Sequence, residues 1–215
     1  MDKHRVIFPC GDIELEGLLH IPSGDGPFAG VVVLHPHPLY GGDMYNNVVD
    51  VICQSLVGSS IVALRFNFRG IGMSQGRYVE GAFEHEDTKA AITYIASAEK
   101  VDPSKIGLAG YSFGAAITAR TAVQDKRVMA IALISPPISF IDWDKLNVYS
   151  GPQLLVCGTE DPFGPAHKVE HVIDTSSGSK KLVAVPAADH FWWGHEEEVF
   201  DTVGSFFARK TILTP

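Results

Sequence analysis

Cysteine is scarce in this chain, and so is basic charge. Cys10, Cys53 and Cys157 stand far apart. An odd, scattered set argues against a disulfide framework, and without a CxxC pair their spacing suggests neither zinc nor redox work. All three read as small buried hydrophobes. Lysine and arginine number 17 against 25 acids, a formal charge of −8. Like-charge repulsion then disfavours nucleic acid and anionic membrane surfaces as partners. No apolar run approaches membrane-spanning length, and the stretch from Val6 to Pro9 is too short for a signal-peptide core. A cytoplasmic location is expected. Repeats, low-complexity tracts and linker-like stretches are missing as well, so residues 1–215 are expected to form one domain. A phosphate-binding loop is also absent: Gly70-Ile71-Gly72 lacks the third glycine of a dinucleotide fingerprint, Gln75 standing in its place.

What is present is an enzyme-like composition, 46% hydrophobic and 20% charged, which excludes a disordered chain. A hairpin is expected first: residues 5–8, a turn at Pro9-Cys10-Gly11-Asp12, then 13–21, where Ile13 and Leu15 alternate with Glu14 and Glu16. Six short apolar runs follow, at 31–34, 61–64, 106–109, 129–134, 154–157 and 182–185. Uninterrupted runs of this length mark strands covered on both faces, as in a parallel sheet. Helical faces lie between them: Val48, Val49, Ile52 and Leu56; Thr88, Ala91, Ile92 and Ile95; and Val199, Phe200, Val203, Phe206 and Phe207. The last helix carries Glu196–Glu198 in its first turn and Arg209-Lys210 near its end, complementing the helix dipole. The expectation is an α/β fold, an eight-stranded, mostly parallel sheet with helices on both faces.

The pattern G-x-S-x-G occurs twice, at Gly110-Tyr111-Ser112-Phe113-Gly114 and at Gly72-Met73-Ser74-Gln75-Gly76. The chemistry needs a sharp strand-to-helix turn that lifts the serine oxygen clear of the sheet and leaves the next N–H free for an oxyanion. Only Ser112 directly follows an apolar strand and directly precedes a run of small helix-packing residues, so Ser112 is the expected nucleophile. Ser74 lies in a glycine-rich loop with Arg69 and Arg77, where Arg69 is expected to brace the loop, a substrate-binding role being the alternative.

A serine hydroxyl needs an imidazole to accept its proton, and that imidazole needs a carboxylate to fix its tautomer. His190, just past the eighth strand, is the expected base, with His195 a weaker rival. Asp161, directly after the seventh strand, is the expected acid. Glu160 is the near alternative, and Asp142 and Asp144 after the sixth strand are a second one. The order Ser112, Asp161, His190 is the nucleophile–acid–base order of α/β-hydrolases. Two backbone N–H groups are needed for an oxyanion. Phe113 supplies one. In the loop after the third strand prolines cannot donate, leaving His37 as the expected second donor and Leu39 or Tyr40 as alternatives. A metal reading of His35-x-His37 lacks a third ligand at any obvious spacing.

The segments HPHPLYGGDM (35–44), FNFRGIGMSQG (66–76), GYSFGA (110–115), GTEDPF (158–163) and ADHFWW (188–193) together resemble the small lidless α/β-hydrolases related to dienelactone hydrolase. The resemblance implies carboxylester hydrolysis through an acyl-enzyme, with no metal or cofactor. Dienelactone hydrolases proper carry a cysteine nucleophile, whereas Ser112 stands here, so simple ester hydrolysis fits better than dienelactone. Residues 135–152 are too few to build a lid, which implies an open site for small or short-acyl esters. Leu39, Tyr40, Phe140, Trp143, Phe191, Trp192 and Trp193 are expected to line it. A thioesterase, acyl-peptide hydrolase or acyltransferase would use the same three residues, and a non-catalytic binding protein could keep the fold. A small-molecule ester is the expected partner, and a homo-oligomer is compatible with the sequence.

Overall fold

In the computed structural model, residues 2–173 and 180–211 are described, with side chains up to Arg209; the Lys210 side chain of the sequence reading lies outside them. The strands are β1 (Asp2–Cys10), β2 (Ile13–Ile21), β3 (Phe28–Leu34), β4 (Val62–Phe66), β5 (Val101–Tyr111), β6 (Val128–Ile134), β7 (Gln153–Gly158) and β8 (Lys180–Val185). They form one sheet in the order β1-β2-β4-β3-β5-β6-β7-β8. β1 and β2 pair antiparallel, as do β2 and β4; every later pairing is parallel.

Two apolar layers sandwich this sheet. On one face α1 (Asn47–Gly58) and α6 (Glu196–Thr211) bury Val49, Ile52, Val203 and Phe207 against Val31, Val33 and Ala109. On the other face α2 (Glu84–Ala96) and α3 (Phe113–Gln124) cover Val32, Leu34 and Leu108, with α4 (Trp143–Asn147) and α5 (Ala166–Val172) beside them. Both faces of the central strands are therefore dry. That is why those strands read as continuous apolar runs rather than as alternation. The short helices α4 and α5 carry no long apolar period and were not expected from the sequence.

The chain runs from β3 outward to β4, then crosses back past β3 to β5. Helices leaving the carboxyl ends of β3 and β5 consequently diverge to opposite faces and open a crevice between them. Two contacts set its floor. A side chain at Gly114 would approach the Leu34 carbonyl oxygen to 2.4 Å, and one at Gly110 would approach the Gly114 carbonyl oxygen to 2.2 Å. Glycine at these places lets α3 start directly against the end of β3.

One buried ion pair ties the segment after β4 to α2. Arg69 Nε lies 2.9 and 3.1 Å from the two carboxylate oxygens of Asp87, which also accepts the Arg69 backbone N–H at 3.0 Å and the Cys10 thiol at 3.4 Å. The expectation that Arg69 braces its loop is met. Burial and Asp87 push the Cys10 thiol up to about 11, so it stays protonated. No helix among the described residues is long and apolar enough to cross a membrane.

Asp87→Ala strands the Arg69 guanidinium and is expected to cost about 3–5 kcal/mol of unfolding free energy. Lys89→Ala, which removes only a surface pair with Glu86, is expected to cost under about 1 kcal/mol. Urea unfolding of the two variants checks both.

Candidate active site

Four loops meet at the carboxyl edge of the sheet. At the end of β5 the backbone turns through Ser112 with φ 55° and ψ −118°, a conformation that L-residues rarely adopt and that persists only where packing enforces it. The turn leaves Ser112 half-exposed on a cleft floor, its Oγ 2.9 Å from His190 Nε2. His190 Nδ1 in turn lies 2.8 Å from Asp161 Oδ2. With Nδ1–H donating to the carboxylate, Nε2 is left as the acceptor of the serine proton. The three residues expected from the sequence are thus brought together.

The rivals are elsewhere. Glu160 is exposed, its backbone N–H donating to the Ala188 carbonyl. Asp142 caps α4 and pairs with Lys145 at 2.7 Å, and Asp144 is exposed. His195 faces Glu198 at 3.2 Å. Ser74 is 6% exposed, donates its hydroxyl to the Asn67 carbonyl at 2.7 Å and accepts the Glu16 N–H at 3.0 Å. Both of its hydrogen-bonding roles are structural.

Asp161 is held from behind. Oδ1 accepts the Phe163 and Gly164 N–H groups at 2.8 and 3.2 Å. Burial would raise its carboxyl, but the hydrogen bond and charge of His190, the Ser135 hydroxyl and the Phe163 N–H outweigh that and lower it. Ser135, at the end of β6 with φ 46°, was missed by the sequence reading. Its Oγ accepts the Trp192 Nε1–H at 3.0 Å, which leaves its own proton for Asp161. The His190 loop is fastened in the same manner. Tyr111 donates its hydroxyl to the His190 carbonyl at 2.7 Å, and Asp189 Oδ1 accepts the Phe191 and Trp192 N–H groups.

The loop after β3 is folded around its second histidine. His37 Nδ1 accepts the Leu39 N–H at 3.2 Å, and its carbonyl accepts the Tyr40 and Gly42 N–H groups. Leu39 and Tyr40 therefore have no N–H to offer. Among the described residues, the His37 N–H has no such internal acceptor, and the Phe113 N–H opens a helix whose first N–H groups lack intrahelical partners. His35 is fully buried beneath, Nδ1 facing the Pro36 carbonyl at 2.7 Å and Nε2 accepting the Phe68 N–H at 3.2 Å. Both ring nitrogens are engaged, so the pair does not form a metal site. No cluster of three or more His, Cys, Asp or Glu among the described residues could hold a metal ion.

The cleft over Ser112 has a volume of about 450 Å³ and includes Tyr40, Phe140 and Phe191 on its walls, as expected, with Phe163, Pro137 and Asn46 in addition. Among the described residues, no lysine, arginine, aspartate or glutamate lines it. Four expected wall residues are elsewhere. Leu39 is 67% exposed and points off the loop. Trp143 packs against the α2/α3 layer with its indole N–H on the Ile138 carbonyl. Trp192 is 0% exposed, sunk into the α1/α6 layer. Trp193 is 72% exposed and likewise off the cleft. Aromatic character alone did not separate wall from core. Phe163 could have been found from its place two residues after Asp161.

The profile of the dienelactone hydrolase family matches residues 73–198. An uncharacterised protein of Rickettsia prowazekii is 31% identical over 192 residues, covering 86% of this chain and 79% of its own. Among solved structures, an α/β serine hydrolase homologue from Coxiella burnetii is similar at 32% identity and TM-score 0.85, over 95% of this chain and 97% of that one. A lidless α/β serine hydrolase from Xanthomonas campestris has 25% identity and TM-score 0.84, over 100% and 98%.

Burial pushes His35 from its ordinary 6.5 down to about 4. His20, buried on β2 beside Arg65, is likewise lowered to about 4 by burial and then by that guanidinium. Both are neutral in the fold, whereas the unfolded chain takes up protons on them first. Stability is therefore expected to be intact above about pH 6.5 and to fall as pH drops toward about 4. Urea midpoints over that range check it; a flat profile would contradict it, and His20→Leu should make the decline shallower.

Proposed function

Because the chain belongs to the dienelactone hydrolase family, we propose that it is a serine carboxylesterase acting on small neutral esters through an acyl-enzyme. The observation that carries this reading is the continuous chain Ser112 Oγ–His190 Nε2–Asp161 at 2.9 and 2.8 Å on the floor of an aromatic, uncharged cleft. Ser112 attacks the ester carbonyl as His190 takes its proton. The oxyanion forms between the Phe113 and His37 N–H groups, where fixed donors stabilise the charge without reorganising. The tetrahedral intermediate collapses, His190 protonates the departing alcohol, and the acyl group stays on Ser112. Water then attacks with His190 again as base, releasing the acid and restoring the serine. Asp161 keeps the imidazole in the accepting tautomer and stabilises the imidazolium.

The walls of the cleft select on substrate charge. A carboxylate-bearing ester would lose hydration in a cleft that offers no lysine or arginine, so neutral acyl groups are favoured. The chemistry requires no metal or cofactor, since the oxyanion donors are backbone amides.

Turnover of p-nitrophenyl butyrate, with Ser112→Ala slower by about 10⁴-fold or more, is the expected result. Ser74→Ala should retain activity while losing about 1–3 kcal/mol of stability, because it leaves a buried N–H and carbonyl without partners. Activity lost in Ser74→Ala and kept in Ser112→Ala would overturn the assignment. A fluorophosphonate adduct located by peptide mass on Ser112 tests the nucleophile independently of substrate choice.

A further inference from the structure

A second concavity, of about 730 Å³, adjoins the cleft over Ser112 and shares two of its walls, Phe113 and Phe140. It runs along α3. Ala116, Ile117 and Ala119 form its floor at 8%, 4% and 3% exposure, and Val123 lies at the far end. Glu80, Gly81 and Ala82 stand on the opposite bank. From Phe113 to Val123 the helix rises about 15 Å, so the floor is several times longer than a short acyl group.

Its position relative to His190 gives it a direction. The departing alcohol must leave beside His190 Nε2, which protonates it. Phe163 and Phe191 flank that side, their rings 4.7 and 5.8 Å from the imidazole. Neither of them, nor His190, lines the second concavity, which meets the first at Phe113 on the oxyanion side. A carbonyl held over Ser112 with its alcohol toward His190 therefore turns its acyl chain toward α3. The cations on the rim are already engaged, Arg120 with the Gly81 carbonyl at 2.8 Å and Lys145 with Asp142 at 2.7 Å. What the floor offers is apolar surface.

Resting on the esterase reading of the same site, we propose that the α3 groove is an acyl-chain subsite, extending the substrate range to esters of medium-length aliphatic acids. The chain passes between Phe113 and Phe140 and lies on Ala116, Ile117 and Ala119. This widens the short-acyl preference implied by the missing lid: the cleft over Ser112 sets what fits around the carbonyl, and the groove takes the remainder of the chain.

The test compares p-nitrophenyl butyrate with p-nitrophenyl decanoate, below its aggregation concentration, in the wild type and in Ala82→Trp and Val123→Trp. These variants fill the groove from opposite banks, and Ala82 is exposed, so its substitution does not disturb the core. Decanoate is expected to match or exceed butyrate in kcat/KM in the wild type. Both variants should lower the decanoate-to-butyrate ratio by at least about tenfold, as loss of methylene contacts in an apolar site requires. An unchanged ratio in both, or a wild type that rejects decanoate, overturns the proposal. Calorimetric titration with methyl nonyl ketone, which presents the same chain without a leaving group, reads the groove apart from turnover. Binding to the wild type and weaker binding to both variants supports the subsite even if esters are not hydrolysed; no binding to the wild type overturns it.

Discussion

The site depends on how closely helix α3 can approach the end of β3. Gly114 lies within touching distance of the Leu34 and His35 carbonyls, and Gly110 lies under the first turn of the helix. A methyl group at either place would push α3 away from the sheet. That displacement would carry the Ser112 oxygen away from His190 and separate the Phe113 N–H from the His37 N–H. The strained backbone at Ser112 is the local cost of this approach. It is tolerated because β5 sits between β3 and β6, with the Ser112 N–H bonded to the Ile134 carbonyl at 2.9 Å.

The second glycine-serine-glycine loop supports the segment after β3 from behind. Asn67 accepts the Met44 N–H at 2.8 Å, Ser74 holds the Asn67 carbonyl, and Phe68 gives its N–H to His35. Arg69, clamped on Asp87, fixes the start of that loop against α2. The segment carrying His37 therefore rests on the segment carrying Ser74. The two copies of one motif differ in setting, Ser112 half-exposed on the cleft floor and Ser74 buried as a support, and burial separates them more clearly than sequence does.

Much of this was legible in the chain, for identifiable reasons. Strands buried on both faces leave unbroken apolar runs, so the sheet and its count could be read, and position after a given strand picked out Ser112, Asp161 and His190. Strand ends were less legible: β1 begins at Asp2 and β5 at Val101, because pairing with a neighbour extends a strand beyond its apolar stretch. Ser135 left no mark, since its role depends on a one-proton hydroxyl placed between Trp192 and Asp161. Trp192 and Phe191 are neighbours with opposite fates, one in the core and one on the cleft. The left-handed backbone at Trp192, φ 63°, turns one ring inward, and composition carries no trace of such a turn.

That inward turn has a mechanical consequence. Two residues beyond the imidazole, the indole of Trp192 is sealed in the layer beneath the sheet and bonded to Ser135. The His190 imidazole cannot swing outward without drawing an indole out of a dry core. The mouth of the cleft is open to solvent, yet the parts at its bottom are anchored, so access is set by the fixed outline of its walls rather than by a moving cover.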